Sequence, residues 1–282
     1  MRAAASVVML RDGPRGLEVF LIKRHGLSDV LGGAHVFPGG KLDEDDASPA
    51  LQALLDSPAD ELHRVLAEPQ LDALTAAALH VAALREAFEE TGVLYAQGAA
   101  PQAGNAWRQL REGRPFHELL TQLSLRLQVS QLHPWSRWIT PLVGGVIRKR
   151  FDTRFFLARL PEGQVAQHDN HEATESAWLT PRDALQRYWD REIELAPPQI
   201  MSLAHLSRHA SAAAALAEAR GRTPPLILPE SFEDAGTRVV CYPGDARHPV
   251  PERALPGPTR LHYRNRRFEP AEGLEALFAA PR

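Results

Sequence analysis

Hydrophobic positions follow two different periods along this chain, and the change from one to the other outlines the fold. "AAASVVML" (3–10) and "LEVFLIKR" (17–24) are short apolar runs joined by "RDGPRG", which predicts two strands, at about 4–10 and 17–23, around a turn. The Gly-, Pro- and Asp-rich stretch "GLSDVLGGAHVFPGGKLDEDD" (26–46) predicts a loop holding one short strand. From Pro49 the apolar residues recur at helical spacing, interrupted near Pro58 and Pro69, so three helices are expected, the last ending at Gly92. A further helical region covers roughly 105–128, followed by strands around "WITPLVGGVIR" (138–148) and "TRFFLARL" (153–160). A polar loop (162–175), a strand "SAWLT" (176–180) and helices over 181–189 and 197–221 complete the pattern. Strands and helices interleave, which predicts an α/β (α+β) protein. Past Pro224 the texture shifts to proline-punctuated pieces such as "TRVVCYPGD" and "RLHYRNRRF". The expected organisation is therefore one unit over 1–222 and a β-rich extension over 223–282, packed on the first or standing beside it.

Composition narrows the function classes. At 282 residues, 44% hydrophobic and with a net charge of −3, the chain has ample core and no general attraction for nucleic acid or anionic membrane. The apolar run at the N-terminus leads into a strand-turn-strand pattern and no small-residue cleavage site follows it, so it is not read as a signal peptide. No segment approaches the ~18 apolar residues of a membrane span. A single cysteine, Cys241, excludes an internal disulfide and fits a reducing compartment. A cytoplasmic protein is expected, and the Ala-, Arg- and Pro-rich usage points to a bacterial source. A homodimer is compatible with this reading.

The chemistry gathers at "REAFEETG" (85–92). Glu86, Glu89 and Glu90 stand at i, i+3 and i+4, which puts three carboxylates on one helical face, and Gly92 reads as the C-terminal cap. Like charges at this spacing repel, and they face the negative end of the helix dipole. Upstream, "FPGGKLDEDD" (37–46) supplies Gly39 and Gly40, which allow close backbone approach, and four further acids. Such a concentration of hard oxygen ligands suits Mg²⁺ or Mn²⁺ shared with substrate phosphates. As a solvated acidic face, with Arg85 paired to Glu89, the helix would leave the glycine pair and the acid-rich loop unexplained.

These residues resemble the Nudix hydrolase box, G-x5-E-x7-R-E-U-x-E-E-x-G-U with U apolar. Arg85, Glu86, Ala87, Glu89, Glu90, Gly92 and Val93 fit its right half, and Gly40 with Asp46 fits its left half with aspartate for glutamate. Between Asp46 and Arg85 lie 38 residues where the family has seven. An insertion of about 31 residues must then leave and re-enter the fold at neighbouring points, which costs little loop entropy; helices over 47–84 permit it. "WITP" (138–141), "RFDTRFFLA" (150–158), "EATESAWLTPRDAL" (172–185) and "APPQ" (196–199) are similar to the coenzyme A and acyl-coenzyme A diphosphatase branch. The resemblance spans about residues 5–210.

The resemblance implies a Nudix α/β/α sandwich with a mixed sheet, and divalent-metal-dependent cleavage of a diphosphate. Glu86, Glu89, Glu90 and the Gly39 carbonyl would be metal ligands, with Arg85 orienting a glutamate and Asp46 one layer behind. Glu86, ahead of Glu89, would be the general base, and Glu172 or Glu175 could supply another ligand or the base. Lys23, Arg24 and Gly40 are candidate substrate contacts. The coenzyme A signature L-L-T-x-R-S-x3-R-x3-G-x3-F-P-G-G is half kept: Arg24, Gly33 and "FPGG" are present, but His25 stands at the serine and Asp29 at the second arginine. The substrate is expected to be coenzyme A or an acyl-CoA, with ADP-ribose, NADH or another nucleoside diphosphate derivative as alternatives. A nucleotide-binding module without catalysis is a third reading, disfavoured by the retained acids. Outside the box, "HDNHE" (168–172) offers imidazole and carboxylate for a transition metal without H-E-x-x-H spacing.

Overall fold

The computed structural model describes residues 1–26, 31–141 and 150–280. Asp29 and residues 142–148 of the strand expected over 138–148 lie outside the described residues. Two long strands, β1 (Arg2–Gly13) and β2 (Gly16–Arg24), form an antiparallel hairpin, and the glycine-rich stretch contributes two short strands, β3 (His35–Val36) and β4 (Gly39–Lys41). β4 pairs with the first half of β1, and β3 pairs with β2.

The proline-bounded region folds as α1 (Pro49–Gln52), α2 (Ala59–Leu66) and α3 (Ala73–Thr91). Asp72 caps α3 by accepting the Thr75 N–H, and Gly92 closes it in the left-handed conformation at φ 70°. The helical region expected over 105–128 is instead two helices, α4 (Ala103–Arg111) and α5 (Phe116–Gln122), parted by "EGRP", where Gly113 takes φ 92° and Pro115 cannot continue the earlier helix.

Next come β5 (His133–Ile139), β6 (Phe151–Arg159), β7 (Ala173–Leu179), α6 (Pro181–Trp189) and α7 (Pro197–Leu206), then α8 (Ala212–Gly221). The single helix expected over 197–221 breaks in two because the Ser211 hydroxyl accepts the Ala214 N–H and starts α8 afresh. β8 (Leu226–Ile227) then joins β5 in parallel.

These strands make one mixed sheet in the order β3-β2-β1-β6-β5-β8, with β4 on β1 and β7 on β2. β1 runs parallel to β6 and antiparallel to its other partners. Both faces are covered, so the central strands read as continuous apolar runs whose alternate residues enter different cores. Ala5, Val7 and Met9 of β1 pack with Phe20 and Ile22 of β2 against the α3 side. Val8 and Leu10 pack with Leu17, Val19 and Leu21 against α6, α7 and α8.

The tail builds a four-stranded antiparallel sheet from β9 (Glu230–Asp234), β10 (Thr237–Cys241), β11 (Arg260–Arg264) and β12 (Arg267–Glu269). "RLHYRNRRF" is a hairpin whose turn residues Asn265 and Arg266 both have positive φ, 51° and 67°, as a tight turn of matching twist requires. Val240, Tyr242, Leu261 and Leu277 are buried in the same cluster as α6 and α7, so this sheet shares the core of the main unit.

The insertion is tied down by charge as well as by packing. Glu68, between α2 and α3, receives a two-pronged contact from Arg154 (3.0 and 2.6 Å), and Arg137 holds Asp152 in the same way (2.8 and 2.7 Å). Arg137 also reaches Glu68 at 2.8 Å and Arg154 reaches Asp152 at 3.0 Å, closing a ring of alternating charge in which Glu68, Asp152 and Arg154 are buried. Among the described residues, no helix is long and apolar enough to cross a membrane.

Candidate active site

Four elements meet at the C-terminal half of α3: the helix itself, β4, the turn over Glu44–Ala47, and the end of β2. The helical spacing brings Glu86, Glu89 and Glu90 to one side of α3, and burial then raises the energy of each. Glu90 is 3% exposed, and its Oε2 accepts the Gly39 N–H at 2.7 Å. Burial, followed by the Glu86 charge, holds its carboxyl well above the usual range despite that bond. Burial also pushes Glu86 up to about 7, with Arg85 opposing and the charges of Glu89 and Glu172 adding to it. Glu89 rises too, first through burial, with Arg85 again opposing.

Arg85 is the hub. Its Nε and one Nη donate to the two oxygens of Asp46 at 2.8 and 3.0 Å, a planar fork on a fully buried carboxylate. The other Nη donates to Glu86 Oε1 and Glu89 Oε2, both at 3.1 Å, and the fork reaches the Lys41 carbonyl as well. Burial works against its charge, but the Asp46 bonds and the surrounding carboxylates outweigh it and raise its pKa. Asp46 is in turn held by the Asp43 N–H at 2.9 Å. The left half of the box therefore meets the right half through Arg85, although 39 positions separate Asp46 from it.

The glycine pair is required by contact. Gly39 stands at φ 153°, and a Cβ there would overlap the Ala5 carbonyl oxygen; a Cβ on Gly40 would collide with the Glu86 carboxylate. At the far end of the motif, Gly92 lies against the Trp107 ring, whose Nε1 donates to the Glu89 carbonyl at 2.9 Å.

Arg24 continues the β2 positions that face α3, and its Nη1 lies 3.9 Å from Glu90 Oε1. Lys23 and Glu175 do not join the group. They are cross-strand partners bonded at 2.7 Å, and Lys23 continues the odd-numbered face of β2, opposite to Glu86 and Glu90. Strand alternation thus separates two residues that are adjacent in sequence. Glu172 falls on the right side: its charge acts on both Glu86 and Glu90, and its carbonyl accepts the His25 N–H at 2.8 Å. "HDNHE" is a turn, with Asn170 at φ 63° and His168 bonded to Ser176 Oγ at 3.0 Å; its two imidazoles do not assemble a metal site.

The donor types suit a hard divalent cation: repelling carboxylates whose pKa values burial raises, with Arg85 and the Gly39 N–H as polar partners. Among the described residues, no three Asp, Glu, His or Cys side chains are grouped so that they could hold a metal ion as they stand. Gly39 presents its N–H to Glu90 and so positions that carboxylate. A cavity of about 190 Å³ lined by Glu68, Arg137, Arg154 and Phe155 contains none of these glutamates, so carboxylate chemistry locates the site where concavity does not.

Residues 2–206 match the NUDT19 Nudix domain family. The chain is 32% identical to human acyl-coenzyme A diphosphatase NUDT19 over 234 residues, which cover 70% of this chain and 62% of that one. The Xenopus laevis protein of the same name is 29% identical, over 68% of this chain and 60% of its own. These alignments span about three fifths of the length of those relatives. A putative nudix hydrolase 7 of Caenorhabditis elegans is 26% identical over 92% of this chain and 78% of that one, a span that must enter the tail. Among solved structures, a Nudix hydrolase from Alicyclobacillus acidocaldarius superposes with a TM-score of 0.61 at 26% identity, covering 79% of this chain and 97% of that one. These curated relatives are animal proteins, so the expected bacterial source is not borne out. With the sandwich in place, the box residues gathered around Arg85 and most of the chain matched, the chain belongs to the Nudix hydrolases, within the NUDT19 Nudix domain family.

Proposed function

We propose that this protein is a Mg²⁺- or Mn²⁺-dependent hydrolase that cleaves the diphosphate linkage of coenzyme A or an acyl-CoA. The observation that carries this reading is the Arg85 hub, which draws Asp46, Glu86 and Glu89 into one group beside Gly40 and Glu90. An intact set of repelling acids has no structural benefit of its own, and the relatives that bear the acyl-coenzyme A diphosphatase name supply the substrate class.

Glu86, Glu89 and Glu90 would hold the cation, with Gly39 beside them. When bound, a divalent cation neutralises the diphosphate oxygens and lowers the pKa of water. The chain's own groups do the rest. Arg85 keeps Glu86 and Glu89 in fixed rotamers, and Gly40, lacking a side chain, leaves room for the Glu86 carboxylate against its backbone. Glu86, the preferred base ahead of Glu89, takes the proton of the attacking water at its carboxylate. Arg24, close to Glu90, offers positive charge toward the substrate phosphates. Lys23 and Glu175, paired on the opposite face, are assigned no part in this step. A cytoplasmic setting accords with the single buried cysteine.

The incomplete coenzyme A signature, with His25 and Asp29 in place of its serine and second arginine, favours one further reading: hydrolysis of ADP-ribose, NADH or a related compound. Purified protein incubated with each candidate and with Mg²⁺, Mn²⁺ or a chelator, with products identified by mass, separates the two. Cleavage of coenzyme A species only in the presence of metal is expected. If nothing is cleaved and Glu89→Gln behaves as wild type, the protein is a binding module.

A further inference from the structure

The polar segment "HDNHE" carries an organising residue that the proposed chemistry has not yet used. Asp169 is 8% exposed, and its carboxylate accepts four backbone bonds from the next turn: Oδ1 takes the N–H groups of His171 (3.0 Å), Glu172 (3.1 Å) and Ala173 (3.1 Å), and Oδ2 shares that of Glu172 at 3.2 Å. Three successive N–H groups closing on one buried carboxylate fix the backbone of 170–173, with Asn170 in the left-handed region to make the turn. The fixed segment adjoins the end of β2 that reaches the glutamates. Ala173 is the cross-strand partner of Arg24, whose guanidinium reaches Glu90, and the Glu172 carbonyl accepts the His25 N–H.

We infer that Asp169 is a positioning residue, which holds Glu172 against the carboxylate cluster of α3 and through it sets catalytic geometry. This rests on the proposed hydrolase reading. A carboxylate on a free loop would sample many orientations, and misplacement of a catalytic group by about 1 Å can lower rate about 100-fold. Asp169 itself bonds backbone N–H groups, so it acts through the segment it holds, in which Glu172 carries the ionisable side chain.

A double-mutant cycle tests this on the full chain. Asp169→Ala should lower kcat about 10- to 100-fold with little change in KM, as loss of an orienting group behind a catalytic one does. In a Glu172→Ala background the same substitution should cost no more than about twofold. Asp169→Asn, which keeps the oxygen that takes three of the four bonds, should recover most of the activity. Additive losses from Asp169→Ala and Glu172→Ala, or an Asp169→Asn variant as impaired as Asp169→Ala, would overturn the inference. If Asp169→Ala does not fold, Asp169→Ser, with one short acceptor, takes its place in the cycle. Mn²⁺ titration of each variant by calorimetry gives a readout independent of turnover: Asp169→Ala and Glu172→Ala should weaken binding equally. Should the wild type bind Mn²⁺ but cleave no diphosphate, the hydrolase reading fails while the positioning inference is still judged on that equality.

Discussion

Replacing Glu86 by glutamine should stabilise the metal-free protein while ending its proposed catalysis. Glu86 is held at about 7 in the fold against an ordinary 4.5, burial being the main cause. A carboxyl whose folded pKa is raised favours folding through the proton it keeps; that advantage is complete below 4.5 and is lost as pH rises through 7. At 1.36 kcal/mol per unit, the ionised side chain at pH 8 weakens the fold by roughly 3 kcal/mol relative to a neutral isostere. Glutamine is that isostere, and it still fits beside Gly40 and can accept from Arg85. Glu90 changes in the same sense, because the Glu86 charge is one of the causes that keep its carboxyl high. Urea unfolding in chelator should therefore show the two proteins equal near pH 4.5 and the variant ahead by about 3 kcal/mol at pH 8. Saturating Mg²⁺ should narrow the difference, since wild type gains about 2.7 kcal/mol at 100 times its Kd and the variant less. A gap that does not change with pH, or a variant less stable at pH 8, would refute the reasoning.

Other perturbations follow from the same geometry. Arg85→Ala leaves the fully buried Asp46 without its fork and should cost about 3–5 kcal/mol in urea unfolding, with activity lost even where the protein remains folded. Gly40→Ala should leave stability nearly unchanged, because only the end of a flexible side chain must move, yet shift the Glu86 carboxylate and lower kcat and metal affinity, read by steady-state kinetics and calorimetry. Glu68→Ala opens the charge ring and should destabilise by about 3–5 kcal/mol, whereas apolar replacement of Glu68 with Arg154 and of Arg137 with Asp152 together should recover much of that loss in thermal unfolding.

The acidic face was legible because a helix converts spacing into geometry without help from the rest of the chain: Glu86, Glu89 and Glu90 had to share a side, and Gly92 had to end α3. The tie between Asp46 and Arg85 came from the family pattern alone, since no local rule links residues 39 apart. Lys23 and Arg24 part because strand parity, set by which face of β2 the core covers, places them on opposite sides. The Glu68 ring was invisible because its members meet across as many as 86 positions, from an insertion onto two strands. The break between α7 and α8 was hidden by alanine-rich sequence of high helix propensity, although Ser211 signals a cap once the helix is known to stop. Asp169 left no spacing signature, because its partners are its own neighbours' N–H groups.

One helix joins the insertion to the chemistry. α3 runs unbroken for 19 residues, ~28 Å at 1.5 Å per residue, from just past the Glu68 ring to the glutamates. Buried along most of its length and packed against β1, that rod ties the position of the candidate glutamates to the insertion at its other end. Excising the insertion as though it were a loop would cut the rod itself, since α3 begins at Ala73, inside the 47–84 excursion. The excursion before the box is thereby made part of the machine's frame.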